Sequence, residues 1–145
     1  MNAPPQVAVR VMRRFSASPE RVFDAWLDPA TAGKWLFATP TGRMVRAEID
    51  VRVGGRYVLT DRRDGEDVEH TGQYLEIDRP RRLVFTLAVP KYAQDVDRVI
   101  VEIIPVGGGC ELTLTHEAVH PDYASRTESG WAGILDRLAE TLGAG

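Results

Sequence analysis

The spacing of hydrophobic positions predicts one strand followed by two short helices at the start of the chain. Residues alternate between Gln6 and Phe15, and one face of this strand carries Val7, Val9 and Val11. Ser18-Pro19-Glu20 is typical of a helix start, because a serine oxygen caps free N–H groups and proline fits the first helical position. Apolar residues then recur at helical spacing, namely Val22, Phe23, Trp26 and Leu27. Asp28-Pro29 repeats the start signal, so a second short helix is expected to run to about Trp35.

The middle of the chain, from Met44 to Glu117, has the pattern of strands joined by turns. Alternation begins with Val45, Ala47, Ile49 and Val51. Asp64-Gly65 is a hairpin signal, and Pro90–Asp95 is expected to be a loop. The further expected strands are Arg56–Thr60, Glu69–Ile77, Arg82–Val89, Val96–Ile104 and Cys110–His116. Successive strands with short turns predict an antiparallel meander.

The end of the chain predicts a long helix that begins between Asp122 and Glu128 and ends at Gly143. Its apolar stripe consists of Trp131, Ile134, Leu135, Leu138 and Leu142. Because a helix cannot bury such a stripe alone, it must lie across the apolar face of the sheet. The predicted fold class is therefore α+β, a curved antiparallel sheet of six to seven strands around the C-terminal helix. Two short helices between the first two strands would close one end, and space is expected between sheet and helix.

Composition narrows the class of protein. The 145 residues, 43% apolar and 27% charged, fit one domain over residues 1–145, with residues 1–6 as a loose end. The net charge of −3 and the scattered arginines disfavour nucleic acid and a membrane surface as partners. A single cysteine, Cys110, excludes an internal disulfide, and the N-terminus lacks a signal-peptide pattern. A cytoplasmic protein is expected.

Several segments together resemble the START-like (SRPBCC) superfamily, which includes polyketide cyclases and lipid-transfer proteins. The opening 18–26, with Asp28-Pro29 and Trp35, is similar to the superfamily's start, and Trp131, Leu135 and Leu138 are similar to its closing helix. The later strands are matched by 54–57, 72–77, 80–86 and 111–116. Residues 7 to 142 resemble the bacterial branch related to the C-terminal domain of the activator of the heat-shock protein 90 ATPase. The resemblance implies a helix-grip fold with a cavity, and it supplies neither catalytic residues nor a cofactor.

The segment His116-Glu117-Ala118-Val119-His120 matches the H-E-x-x-H signature of zinc proteases. That chemistry needs a helix, on which residues four apart are neighbours. Here the motif follows an alternating run and is stopped by Pro121, which predicts a strand, where four residues span about 13 Å. Two histidines that far apart cannot share an ion with bonds of about 2.0–2.1 Å, so no metal site is expected.

The candidate ligand-binding residues are mainly aromatic, since ligand pockets are mainly apolar with a few placed polar groups. They are Trp35, Phe37, Tyr57, Tyr74, Phe85, Tyr92, His116, Trp131 and Leu135. His116 shares strand parity with Leu112 and Leu114, which allows it to face the cavity and to hydrogen-bond a ligand or act as a base. The alternative is that these side chains, His116 included, are ordinary core residues satisfied within the protein.

Three functions are compatible with this pattern. The first is binding of an apolar small molecule, lipid-like or aromatic, in a cavity between the sheet and the C-terminal helix. The second is an enzyme of the cyclase or hydrolase type that uses the same cavity, with His116 as the acid–base group. The third is a module that binds a heat-shock chaperone through an exposed patch. The chain is expected to be a monomer or a homodimer.

Overall fold

Seven antiparallel strands form one sheet in the computed structural model, which describes residues 6–37, 39, 41–92 and 96–143. The strands are β1 (Val7–Phe15), β2 (Arg43–Ile49), β3 (Arg56–Arg63), β4 (Glu66–Asp78), β5 (Arg82–Leu87), β6 (Asp97–Val106) and β7 (Gly109–Val119). The helices are α1 (Pro19–Ala25), α2 (Pro29–Trp35), a 3-10 turn (Pro121–Tyr123) and α3 (Ala124–Leu142). The spatial order is β1-β7-β6-β5-β4-β3-β2, so β2 to β7 form a meander and β1 pairs with β7. The predicted α+β helix-grip fold is confirmed.

The helix boundaries follow the capping residues that the sequence contains. Ser18 precedes α1, and its hydroxyl oxygen accepts a hydrogen bond from the Arg21 N–H at 3.2 Å. Asp28 precedes α2, and its carboxylate accepts from the Thr31 N–H at 3.1 Å. At the other end of the chain, Gly143 follows α3 with φ of 62°, a left-handed conformation that favours glycine.

The alternation of apolar residues in β2 predicts only part of the face that is buried in the structure. A bulge between Met44 and Arg46 shifts the pairing with β3, so Val45 is exposed while Met44, Ala47 and Ile49 pack against the core. Val51 lies beyond the end of the strand and is also exposed. The extra residue of the bulge reverses the faces, which simple alternation does not reveal.

The core lies between the inner face of the sheet and the helices. Leu83, Phe85 and Leu87 of β5 are all buried on one side, as their alternation predicts. From α3 the buried residues are Trp131, Leu135, Leu138 and Ala139. α3 packs against β1 and α2, so this helix lies across the first strand and the second of the inserted helices. Among the residues described, none of the helices is long and apolar enough to cross a membrane.

Candidate ligand site between the sheet and the helices

A small cavity lies under the inner face of the sheet, with a volume of about 10 Å³. It is lined by Trp26, Leu36, Tyr57, Tyr74, Leu83 and Phe85. This volume accommodates about one water molecule, whereas pockets for small organic ligands occupy about 300–1,000 Å³. The lining comes from β3, β4, β5 and the ends of α1 and α2, and no described residue of α3 takes part. This small cavity therefore lies apart from α3, and the cavity expected against that helix stays a prediction.

Three polar groups belong to the residues that line this cavity. The Tyr57 hydroxyl donates to the Thr86 carbonyl oxygen at 2.7 Å. Burial raises the pKa of the Tyr74 phenol, so that hydroxyl remains neutral and can donate a hydrogen bond. The Trp26 indole N–H is buried and has no hydrogen-bond partner within the described part of the chain. An unsatisfied buried donor costs about 1–3 kcal/mol, so Trp26 retains an unused capacity to bind an acceptor.

Aromatic rings connect this cavity to α3. Trp26 packs edge-on against Trp35, with ring centroids 4.7 Å apart, and its ring lies 6.4 Å from that of Trp131. Trp131 in turn lies 5.8 Å from Phe37, which is stacked on His70 at 4.3 Å. Trp26 thus borders both the cavity and the first buried side chain of α3.

A hydrogen-bonded line of three side chains runs from β6 through β7 to α3. The Trp131 indole N–H donates to His116 Nδ1 at 3.0 Å, and His116 Nε2 lies 2.8 Å from an Asp97 carboxylate oxygen. Since an indole nitrogen only donates, Nδ1 must carry the lone pair and Nε2 the proton. His116 is therefore a neutral imidazole with a fixed tautomer, held between a partly exposed carboxylate and the buried Trp131. His116 faces inward, as its strand parity allows.

His70 occupies a second buried position, on β4. Its Nδ1 lies 3.3 Å from the Leu59 carbonyl oxygen, to which it donates. Burial, reinforced by the nearby Arg63 guanidinium, lowers the pKa of His70 to about 4. The ring is therefore neutral at physiological pH and packs as an aromatic side chain against Phe37.

The H-E-x-x-H segment lies on a strand, as predicted, except for its last residue. His116 and Glu117 belong to β7, while His120 follows the strand and its Nδ1 accepts the Asp122 N–H at 3.1 Å. The single helical face that a zinc protease uses is not formed by this segment. Across residues 6–37, 39, 41–92 and 96–143, no group of three or more metal-ligating side chains is placed to hold an ion.

Comparison with known protein families shows which family the chain belongs to. The family model described as "Activator of Hsp90 ATPase homolog 1-like protein" (AHSA1) matches residues 16–143. The chain belongs to the AHSA1 family. None of the curated proteins compared with it matches.

Solved structures agree with the fold. A Chromobacterium violaceum protein is 28% identical, with a TM-score of 0.83 over 92% of this chain and 94% of that one. A Rhizobium loti protein is also 28% identical, with a TM-score of 0.78 over 97% and 99% of the two chains. An AHSA1-like protein from Aeromonas hydrophila is 23% identical, with a TM-score of 0.82 over 94% and 92%, and shows the shared fold.

Most of the predicted site residues of this AHSA1-family domain lie in its interior. The buried ones are Trp35, Phe37, Tyr57, Tyr74, Phe85, His116, Trp131 and Leu135. Tyr92 does not join them, since it is 66% exposed, and residues 93–95 of its loop lie outside the described residues. The indole N–H of Trp35 already has a partner, because it donates to the Ala25 carbonyl oxygen at 3.2 Å. Whether the buried residues bind a ligand stays a prediction.

Sequence reasoning missed several residues that the AHSA1 fold brings to this region. Trp26, Leu36 and Leu83 line the cavity but looked like ordinary core positions. His70 has a readable signal, since it shares strand parity with Tyr74 on β4. Asp97 has none, because its contact with His116 depends on the register that pairs β6 with β7.

Proposed function

We propose that this AHSA1-family domain binds an apolar small molecule, lipid-like or aromatic, in its interior between the sheet and the helices. The observation that carries the proposal is the small aromatic-lined cavity, one of whose lining residues, Trp26, has a buried, unpartnered N–H. A ligand that fills such a space gains about 25 cal/mol per Å² of apolar surface removed from water. A ligand acceptor would also satisfy the Trp26 donor.

The cavity must enlarge before a ligand larger than water fits, and the start of α3 is the part best suited to move. Trp131 is the first buried residue of α3, so the preceding turns contribute little to the core. Gly130 and Gly133 flank it, and a Cβ added at either would meet no described atom within 4 Å. Glycine inside a helix costs roughly 0.5–1 kcal/mol relative to alanine, so these residues weaken α3 without any packing requirement. Local opening there would withdraw Trp131 and extend the cavity along Trp26.

The direct test is a binding screen. Native mass spectrometry of the purified protein would detect a bound molecule, and a thermal-shift panel of lipids, sterols and aromatic polyketides would identify the class. We expect at least one compound to raise Tm and to appear as a one-to-one adduct. If no compound in the panel binds and no molecule co-purifies, the proposal is wrong.

Two matched variants place the binding in this space. Leu83 lines the cavity, so Leu83→Phe fills it, whereas Leu75→Phe makes the same change at an exposed position on β4. We expect Leu83→Phe to weaken binding of the identified compound and Leu75→Phe to leave it unchanged. Equal binding by the two variants would move the ligand elsewhere. Circular dichroism checks that both proteins are folded.

A second candidate function is catalysis in the same space. The Asp97 carboxylate beside His116 is an arrangement that supports a general base, once a substrate reaches Nδ1. The test is turnover of ester and polyketide substrates by the wild type and by His116→Ala. Loss of turnover in the variant would support an enzyme, and unchanged turnover would exclude His116 as its base.

A further inference from the structure

We infer that His116 Nδ1 is the polar anchor for the ligand and that it selects a neutral apolar molecule carrying a hydroxyl donor. The inference rests on the proposed function, because it names the class of ligand for that site. Neither the residues that line the cavity nor the family relationship predicts this preference for a hydroxyl donor.

The two ring nitrogens of His116 have fixed hydrogen-bonding roles. Its Nε2–H is directed to Asp97 and its Nδ1 lone pair to Trp131, at 2.8 Å and 3.0 Å. The carboxylate favours keeping the proton on Nε2, since a carboxylate accepts and does not donate. The atom that faces the interior is therefore an acceptor with a fixed direction.

Opening of α3 would leave His116 Nδ1 without its hydrogen-bond donor. Withdrawal of Trp131 removes the donor from Nδ1, while the imidazole, which is 7% exposed with Trp131 in place, remains on β7 and would be covered by the bound ligand. An unpartnered buried acceptor costs about 1–3 kcal/mol. A ligand that supplies a donor to Nδ1 cancels this cost, and a ligand that cannot do so must bear it.

Other polar groups are excluded at the position facing His116 Nδ1. An ether or ketone oxygen only accepts, so it leaves Nδ1 unsatisfied. A carboxylate would place its charge against a lone pair, with the carboxylate of Asp97 behind the ring. A phenol or an alcohol meets both requirements, because it donates one hydrogen bond and carries no charge. The ring of Trp26, which borders both the cavity and Trp131, would contact the apolar part, while its N–H stays available to a separate acceptor on the ligand.

Three probes with the same naphthalene ring test the inference, namely 1-naphthol, 1-methoxynaphthalene and 1-naphthoate. Dissociation constants are measured at pH 7.5 for the wild type, Trp131→Phe and His116→Phe. We expect the wild type to bind 1-naphthol about tenfold more tightly than 1-methoxynaphthalene, as one satisfied acceptor implies, and to reject 1-naphthoate. Trp131→Phe should tighten both neutral probes and keep their ratio, since the competing N–H is gone. His116→Phe should bring the ratio close to one.

The outcomes separate the two proposals. If the wild type binds the two neutral probes equally, the anchor is wrong while ligand binding stands. If a compound of the binding screen binds but neither the wild type nor Trp131→Phe binds any probe, the anchor is wrong; if the screen finds no ligand either, both proposals are wrong. Nitrogen-15 spectra of the wild type give a readout that needs no His116 variant. The His116 Nδ1 resonance should remain in the hydrogen-bonded range with 1-naphthol and leave it with 1-methoxynaphthalene, and an identical response to both probes would overturn the anchor.

Discussion

His70 shows how a single buried side chain links the interior of this protein to pH. The ring is stacked on Phe37 and donates to the Leu59 carbonyl oxygen, so it has an aromatic and a polar contact while neutral. Burial and then the charge of Arg63 disfavour the protonated form, and together they lower the pKa of His70 to about 4. In the unfolded chain the pKa of a histidine returns to about 6.5.

The sign of the resulting pH effect follows from proton binding. Between about pH 6.5 and pH 4 the unfolded state binds more protons at His70 than the folded state, so stability falls as pH falls through this window. We expect the free energy of unfolding to drop between pH 7 and pH 4.5 by roughly 2–3 kcal/mol more in the wild type than in His70→Phe. Urea unfolding at both pH values measures the difference. An NMR titration of the His70 ring near pH 6.5 would contradict the expectation.

Some residues of the candidate site can be identified from the sequence of one strand, and others cannot. His116 was identifiable because strand parity with Leu112 and Leu114 puts it on the inner face. Asp97 was not, because a bond between β6 and β7 depends on pairing Val99 with His116, and alternation within one strand does not determine that register. The partner of a functional side chain is thus harder to predict than the side chain itself.

At the scale of elements, local chemistry predicts the helices better than the faces of the strands. The caps Ser18, Asp28 and Gly143 act on their own neighbouring backbone groups, so their effect can be read from a few consecutive residues. The face of β2 depends on a bulge that involves the opposite strand, which explains why Val45 is exposed although its alternation is regular. The position of the cavity likewise depends on how several elements meet.

Two glycines in different elements should respond oppositely to alanine. A Cβ at Gly72 on β4 would collide with the Thr86 carbonyl oxygen and come within 2.7 Å of the Tyr57 ring. We expect Gly72→Ala to destabilise the protein by about 3 kcal/mol, because a strand backbone has to move. Gly133→Ala should instead stabilise α3 by roughly 0.5–1 kcal/mol, since the helix gains propensity and its new methyl group meets no described atom within 4 Å.

Chemical denaturation of the wild type and the two variants measures both effects. Equal stability of Gly72→Ala and the wild type would show that the β4–β5 contact yields easily. A destabilising Gly133→Ala would mean that this part of α3 needs glycine for a reason that its surroundings do not show.

At the scale of the whole molecule, a cavity as small as the one described and a ligand-binding function in that space are compatible only if the protein opens there. The aromatic rings of Phe37, Trp26 and Trp131 pack on one another, and the cavity beside them holds about 10 Å³. The sheet is a continuous hydrogen-bonded structure, whereas the early part of α3 has a single strongly buried side chain, Trp131. Motion is therefore expected in α3 and not in the sheet.

Motion in α3 predicts how the rate of binding depends on ligand concentration. If α3 must open first, the observed rate of binding measured by stopped-flow tryptophan fluorescence should rise with ligand concentration and then level off at the opening rate. A pocket that is already open would give a rate that rises linearly. The double variant Gly130→Ala/Gly133→Ala should lower the plateau several-fold, because two alanines make unwinding costlier by roughly 1–2 kcal/mol.

The matched control is Gly108→Ala, in the turn between β6 and β7, where an added Cβ also meets no described atom within 4 Å. This variant carries the same chemical change at a distance from α3, so we expect its plateau to equal that of the wild type. A plateau lowered equally by Gly108→Ala and the double variant would indicate a general effect on stability. A plateau unaffected by the double variant would place the opening elsewhere, because stiffening α3 must slow any motion that withdraws Trp131.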